Sequence, residues 1–233
     1  MQEITATIPR HIGFIVDGNR RWAKEHGLPT LEGHRRGYEL LKQIAVAAID
    51  RGVSVVSGYI FSTENWKRTE TEVSYLMKLA LRYAEHDLDE IIAKGIRIRV
   101  LGTTKGLSQK MIAAIRRCEA KSAHCTRGTL ALCFNYGGTQ EIAHACKALI
   151  TKGVQADEVT PEKIREELYQ PDIPDVDIVV RTSGEQRLSN FMLWRVAYSE
   201  FLFVDKKWPE MNAQDVDDIL HEYARRNRRF GGN

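Results

Sequence analysis

The sequence contains no apolar run approaching the ~18 residues needed to span a bilayer, and its first residues lack a basic stretch followed by an apolar core. A cytoplasmic protein is expected, one that would meet any lipid from the aqueous side. The four cysteines, Cys118, Cys125, Cys133 and Cys146, include no C-x-x-C pair. Reduced thiols are therefore expected and a zinc site is not. The seven histidines show no paired ligand spacing. Neither sign of charge dominates: 34 basic against 31 acidic residues leave +3, too balanced to demand nucleic acid. No G-x-S-x-G elbow, Walker-type lysine loop or G-x-G-x-x-G occurs. Gly102-Thr103-Thr104-Lys105-Gly106 has its glycines and lysine out of register for a phosphate loop. No repeat, low-complexity segment or long linker divides the chain. One domain over residues 1–233 is expected, with residues 1–10 as a flexible N-terminal stretch and enough length for a full core.

The most informative stretch runs from His11 to Trp22. Ile12 to Val16 is uncharged, as expected of a strand covered on both faces. Asp17-Gly18-Asn19 favours a turn, and Asn19 suits the N-cap of a helix carrying Trp22 and Ala23. A strand-turn-helix junction aims free N–H groups and a positive dipole end outward, which suits phosphate. An acid beside Arg20 and Arg21 suits a metal held together with a diphosphate. The competing reading is a turn that uses Asp-Gly because the chain must bend.

Downstream, helical apolar spacing is expected from Gly33 to Ile49, a β-branched strand over 53–61, and a polar loop over 62–68. One long helix is expected over 69–93, with Thr69 and Glu72 as a capping box. Strands are expected at 96–101, 129–134, 177–181 and 201–204, and helices at 108–123, 139–150, 161–168 and 213–229. Strands separated by helices imply an α/β domain: a central, mostly parallel sheet flanked by helices. Ligands in such sheets bind beyond the carboxyl ends of the strands. Those ends carry Asp17 to Arg21, Ser62 to Arg68, Asn135 to Gly138, and Arg181 to Asn190. Their arginines, amides and hydroxyls suit an oxygen-rich anion. The cluster Arg225-Arg226-Asn227-Arg228-Arg229 is either a solvated helix end or an anion site.

These motifs resemble one family. DGNRRWA at Asp17 to Ala23, GHRRG at Gly33 to Gly37 and FSTENWKR at Phe61 to Arg68 are similar to segments of the cis-prenyltransferases, the bacterial isoprenyl or undecaprenyl diphosphate synthases. So are NYGG at Asn135 to Gly138, RTSGEQRLSNFMLW at Arg181 to Trp194, YSE at Tyr198 to Glu200, and RRFGG at Arg228 to Gly232. Order and spacing hold from His11 to the C-terminus. The resemblance implies an undecaprenyl diphosphate synthase-like fold with an apolar tunnel, working as a homodimer with Mg2+. It implies condensation of isopentenyl diphosphate onto an allylic diphosphate such as farnesyl diphosphate. The product would be a Z-polyprenyl diphosphate, the undecaprenyl carrier of cell-wall synthesis, released through peripheral contact with the inner membrane face.

The resemblance also implies roles. Asp17 would bind Mg2+ and assist departure of the allylic diphosphate, with Glu200 at a further metal position. Gly18, Asn19, Arg20 and Arg21 would cradle that diphosphate, with Arg21 and His34 adding charge-assisted contacts. Asn65 matches the position assigned to proton removal; because an amide is a poor base, positioning is the expected role. Trp22, Ser62, Thr63, Glu64, Trp66 and Arg68 match substrate-contacting segments. Arg181, Arg187, Leu188 and Ser189 match those that hold isopentenyl diphosphate. A basic C-terminus with Arg228 and Arg229 would reach the partner's site.

Four positions depart from the family pattern. Val16 replaces a methionine. Thr30 stands where an arginine for the allylic diphosphate is common, with Arg20 and Lys24 as substitutes. Gln186 replaces a metal-binding histidine of some members. Ile60 stands where many long-chain members have alanine, and its bulk would shorten the product if it lines the tunnel. The alternatives are a shorter-chain Z-prenyl diphosphate synthase, a non-catalytic partner subunit, and an RNA-binding module. The last rests on the C-terminal arginines alone and lacks an aromatic stacking platform.

Overall fold

The computed structural model describes residues 8–226. Arg228 to Gly232, and residues 1–7 of the N-terminal stretch, lie outside them. Strand β1 (His11–Ile15) is entirely buried. Helices α1 (Asn19–Glu25) and α2 (Thr30–Asp50) carry the chain to β2 (Val55–Ser62). A 3-10 turn over Thr63–Lys67 leads into α3 (Glu70–His86) and α4 (Leu88–Ala93). Next come β3 (Ile96–Leu101), α5 (Gln109–Ser122), β4 (Gly128–Tyr136), α6 (Gly138–Thr151) and α7 (Pro161–Glu166). Strands β5 (Ile178–Arg181) and β6 (Glu200–Phe203) precede α8 (Ala213–Arg225).

The six strands form one sheet in the order β3-β4-β2-β1-β5-β6, and every pairing is parallel. The chain builds outward from β1 to one side and then adds β5 and β6 on the other. The order therefore reverses between β1 and β5, where open parallel sheets place their ligands. Ile15 pairs with Arg181 at that point.

Because side chains alternate across a strand, the sheet feeds two cores. Ile12, Phe14, Val56, Ile178 and Val180 pack with α2 and α8 on one face. Ile15, Val55, Tyr59, Cys133 and Val179 pack on the other against Phe191, Met192 and Val196 from the β5–β6 connection. Gly13 is required at this contact, since a Cβ there would lie 2.9 Å from the Phe191 ring.

Three expectations change. The helix expected over 69–93 is two, broken at Asp87. Thr69 accepts the Glu72 N–H, but the Glu72 carboxylate turns into the protein to Arg68 and His34, so the capping box is half made. Asn19 is the first helical residue; Gly18, at φ +99°, ends the loop. The Asn19 amide reaches back to the Val16 carbonyl at 3.1 Å. The chain is already anchored at residue 10, whose carbonyl accepts the N–H groups of Ser54 and Val55.

At the amino end of β1, His11 is sealed from solvent, with Nε2 2.6 Å from Ser57 Oγ and Nδ1 2.9 Å from the Pro174 carbonyl. Burial lowers its pKa from 6.5 to about 4. The unfolded chain therefore takes up a proton near pH 6.5 that the native chain refuses until about pH 4. Stability should fall by about 3 kcal/mol across that window and level off below it. Urea denaturation of wild type and His11→Asn at a series of pH values checks this. The variant should be weaker at pH 7 but flatter from pH 6.5 to 4; equal slopes would contradict the assignment.

Candidate active site

The ends of β1 and β5 are locked together around Asp17. Its N–H donates to Thr182 Oγ1 at 3.0 Å, and Thr182 Oγ1 donates to the Asp17 carbonyl at 2.7 Å. The Trp208 N–H reaches that same carbonyl at 2.9 Å. The side chain is fixed as firmly: Gly18 N–H binds Oδ1 at 2.7 Å and Arg181 binds Oδ2 at 2.8 Å. Arg181 is nearly inaccessible, yet the carboxylate it holds is about one-third open, at 31%. A buried guanidinium thus orients a carboxylate that still faces solvent.

Arg181 also organises the opposite wall. It donates to Ser189 Oγ at 2.8 Å and to the Arg187 carbonyl, tying the β5–β6 connection to the sheet. Arg21 reaches across from α1 to the Ser183 carbonyl at 3.1 Å, and lies 3.4 Å from Asp17 Oδ1 and 3.3 Å from Glu185. Gly18 sits in the left-handed region, and a Cβ there would press on Ser183 and Lys207.

A third wall comes from α2 and α3. His34, Arg68 and Arg20 converge on the buried Glu72, at 3.1, 2.9 and 3.9 Å respectively. Burial, and then the nearby Arg68 guanidinium, hold His34 below its ordinary pKa. That setting disfavours the charged form of the ring, while the hydrogen bond to Glu72 favours it. Gly33 and Gly37 let α2 approach this closely, because a Cβ on either would collide with Asn19.

The walls enclose two connected polar spaces. One, of ≈ 290 Å³, is lined by Asp17, Gly18, Asn19, Arg20, Arg21, His34 and Arg68. N–H groups in the first turn of α1 have no intrahelical acceptors. The other, of ≈ 220 Å³, shares Asp17, Asn19, His34 and Arg68 and adds Ser62, Asn65, Arg181 and Ser189. In it Asn65 Oδ1 accepts the Ser62 N–H at 3.1 Å. The Asn65 Nδ2 donor is left for a ligand, which suits positioning.

Other expected residues stand further back. Trp22 stacks on His26 outside the cradle, with ring centroids 4.4 Å apart. Trp66 donates to Asn135 Oδ1 at 2.8 Å and lines a separate groove. Glu64 accepts from Asn190 at 3.0 Å, and Thr63 Oγ1 is buried without a partner. Arg187 is exposed and pairs with Glu185, while Leu188 packs on the core. Thr30 is exposed at the first turn of α2, and Gln186 is also exposed. Glu200 pairs with Ile178 at the amino end of the sheet and bonds Arg226 at 3.1 Å. Within one chain it does not meet Asp17. Arg225 and Arg226 are engaged by Glu222.

The walls also include residues the sequence did not single out. Tyr38, Leu41 and Tyr59 line the ≈ 220 Å³ space. Tyr38 and Leu41 share the apolar face of α2 and read as ordinary core; nothing in the sequence sets them apart.

Among the described residues no group of three metal-ligating side chains comes together. Mg2+ is commonly held by one or two carboxylates, with substrate phosphates and water completing its shell. One accessible carboxylate beside an arginine-lined cradle meets that requirement.

A parallel α/β sheet whose switch point carries the partly exposed Asp17 among arginines suits the binding of a phosphorylated ligand. The chain matches, over residues 15–231, the prenyltransferase family described as "Putative undecaprenyl diphosphate synthase". It is 43% identical over 229 residues to an isoprenyl transferase of Listeria monocytogenes, covering 97% of this chain and 91% of that one. With an isoprenyl transferase of Thermotoga maritima it shares 42% over 228 residues, covering 97% of each. The structure of lavandulyl diphosphate synthase from Lavandula x intermedia with dimethylallyl diphosphate superimposes with a TM-score of 0.92 at 30% identity, covering 99% of this chain and 100% of that one. The chain belongs to the cis-prenyltransferases of the undecaprenyl diphosphate synthase family and is a prenyl-transferring enzyme.

Proposed function

We propose that the enzyme condenses isopentenyl diphosphate onto an allylic diphosphate at the Asp17–Arg181 site and releases a Z-prenyl diphosphate. The allylic C–O bond breaks, a C–C bond forms, and diphosphate and a proton leave. The observation that carries this reading is the division of the site into two adjoining anion spaces with Asp17 and Arg68 in both. In the first, the leaving diphosphate would lie on the first turn of α1, where Arg20 and Arg21 would stabilise the charge that develops as the C–O bond breaks. In the second, the other diphosphate would lie at Arg181 and Ser189. Asn65 Nδ2 holds one substrate in register between them.

Mg2+, held by Asp17, would supply further charge stabilisation on the leaving diphosphate. Glu200, distant from Asp17 in its own chain, joins the site in a homodimer that brings the amino end of β6 of a second copy to it. No helix among the described residues is long and apolar enough to cross a membrane, and product is handed over at a membrane surface.

Purified full-length protein supplied with labelled isopentenyl diphosphate, farnesyl diphosphate and Mg2+ should incorporate label into butanol-extractable product, and chelation should stop it. Absence of incorporation by the protein alone would sink the proposal and favour a non-catalytic subunit.

A further inference from the structure

The β5–β6 connection passes the site in a strained conformation. Ser189, Asn190 and Met192 all lie in the left-handed region, at φ +50°, +68° and +40°. Non-glycine residues hold such a backbone only where their surroundings over-determine it. Arg181 bonds Ser189 Oγ at 2.8 Å, and the Phe191 ring is sealed in the core with its centroid 5.2 Å from that of Tyr59. Between these anchors Asn190 is tied to two other strand ends. Its carbonyl accepts the Gly138 N–H and its Oδ1 the Thr139 N–H, each at 2.8 Å, where β4 passes into α6. Its Nδ2 donates to Glu64 at 3.0 Å, just beyond β2, and to Gln140 at 3.1 Å.

A backbone N–H on one side and a carboxylate on the other fix which way this amide points. Burial pushes the Glu64 carboxyl up, but hydrogen bonds from its own backbone N–H and from the Asn190 amide outweigh it and hold the group below its ordinary pKa. Gly137 leaves the room, since a Cβ there would lie 2.7 Å from Asn190 Nδ2. One residue has to accept from a backbone N–H, donate to a carboxylate and adopt φ +68°. Asparagine does all three; aspartate cannot donate, and glycine offers no side chain. Glu64 precedes Asn65, and Asn190 follows Ser189. A single amide therefore links the two segments whose Asn65 and Ser189 line the ≈ 220 Å³ space.

We propose that Asn190 is a positioning residue that, through Glu64 and Ser189, holds Asn65 and the isopentenyl diphosphate wall in one register. The proposal rests on the condensation reading above. The allylic cradle is built on α1 and α2, and none of the four Asn190 bonds runs to either helix. Loss of the amide should therefore act on one substrate and on turnover, and spare the other substrate. A contribution to stability alone would instead lower the amount of folded enzyme and leave both KM values where they were.

The test is initial-rate kinetics of the full chain with Mg2+, varying isopentenyl diphosphate and farnesyl diphosphate in turn. Asn190→Asp keeps the left-handed backbone and the acceptor for Thr139 but sets a second carboxylate against Glu64. It should raise KM for isopentenyl diphosphate at least about tenfold and lower kcat, with KM for farnesyl diphosphate within about twofold of wild type. Asn190→Gly, which keeps the backbone and drops the side chain, should show the same split and keeps the comparison available if the first variant folds poorly. Combining Asn190→Asp with Glu64→Gln restores a donor facing an acceptor, in the reverse direction, and should recover most of the lost affinity for isopentenyl diphosphate. An unchanged KM for isopentenyl diphosphate in the single variants, an equal rise in both KM values, or no recovery in the double variant overturns the proposal. Failure of wild type to condense the two substrates is a different result: it removes the condensation reading itself, and the positioning role with it.

Discussion

Asp17→Asn should lower kcat/KM for isopentenyl transfer by at least about 10³-fold, because it removes the carboxylate that would hold Mg2+ where the two spaces meet. Asparagine keeps the shape of the side chain, and the Asp17 backbone remains clamped by Thr182 and Trp208. What is lost is the carboxylate that Arg181 orients toward the open site at 2.8 Å. The loss should fall mainly on kcat, since Arg20, Arg21 and Arg68 remain to hold phosphate. Folding should suffer little, because the replaced group is about one-third exposed. Titration with inorganic diphosphate provides the second readout. The Mg2+-dependent part of binding should disappear while binding without metal persists. A variant within about tenfold of wild type would leave Asp17 without the role assigned to it.

The second large effect lies behind the site. Glu141 and Arg195, both nearly inaccessible, meet at 2.6 Å. Glu141 also accepts the Tyr136 hydroxyl at 2.5 Å and the Tyr169 N–H at 3.1 Å, and Arg195 donates to the Tyr169 carbonyl at 2.6 Å. Neither charge has access to water, so removing one strands the other. Glu141→Leu and Arg195→Met should each destabilise the protein by about 3–5 kcal/mol. For a chain of this size that lowers Tm by roughly 6–20 °C. The double variant should recover part of the loss, because both charges go while the Tyr136 and Tyr169 groups stay unpaired. Thermal melts of the three variants decide this; a double variant as unstable as the two losses added together would show that the charges do not depend on each other. Arg195 lies on the β5–β6 connection that presents Arg187 and Ser189, so the pair also holds that wall of the site in place.

Much of the fold was legible because its elements carry strong local signals. Each of the six strands stands near its expected place, and parallel pairing from β1 to β5 follows from the helices between them, whereas β6 pairs in parallel with β5 across a connection without a helix. Boundaries moved where a side chain found a tertiary partner. Glu72 has the right spacing for a capping box but spends its carboxylate on Arg68 and His34. The 69–93 helix pattern is continuous in apolar spacing, yet the chain breaks at Asp87 beside Lys42. Asn19 has the chemistry of a cap, but Gly18 takes the loop-ending position because only glycine accepts φ +99° against Ser183.

The site divides the same way. Asp17-Gly18-Asn19-Arg20-Arg21 could be read either as an anion cradle or as a plain turn, because both use the residue types packed there. That Arg181, 164 residues on, would be the group orienting Asp17 depended on β5 pairing beside β1. By itself the sequence determined the class: strand-end chemistry and ordered motifs are local properties, written in residue type and spacing. Only the tertiary structure decided that His34 is buried against Glu72 and Arg68, that Glu200 lies at the amino end of the sheet, away from Asp17 in its own chain, and that Tyr38 lines the space at Asp17. Charge state and cavity shape depend on burial and on what other elements bring within a few ångströms, and a linear pattern carries neither.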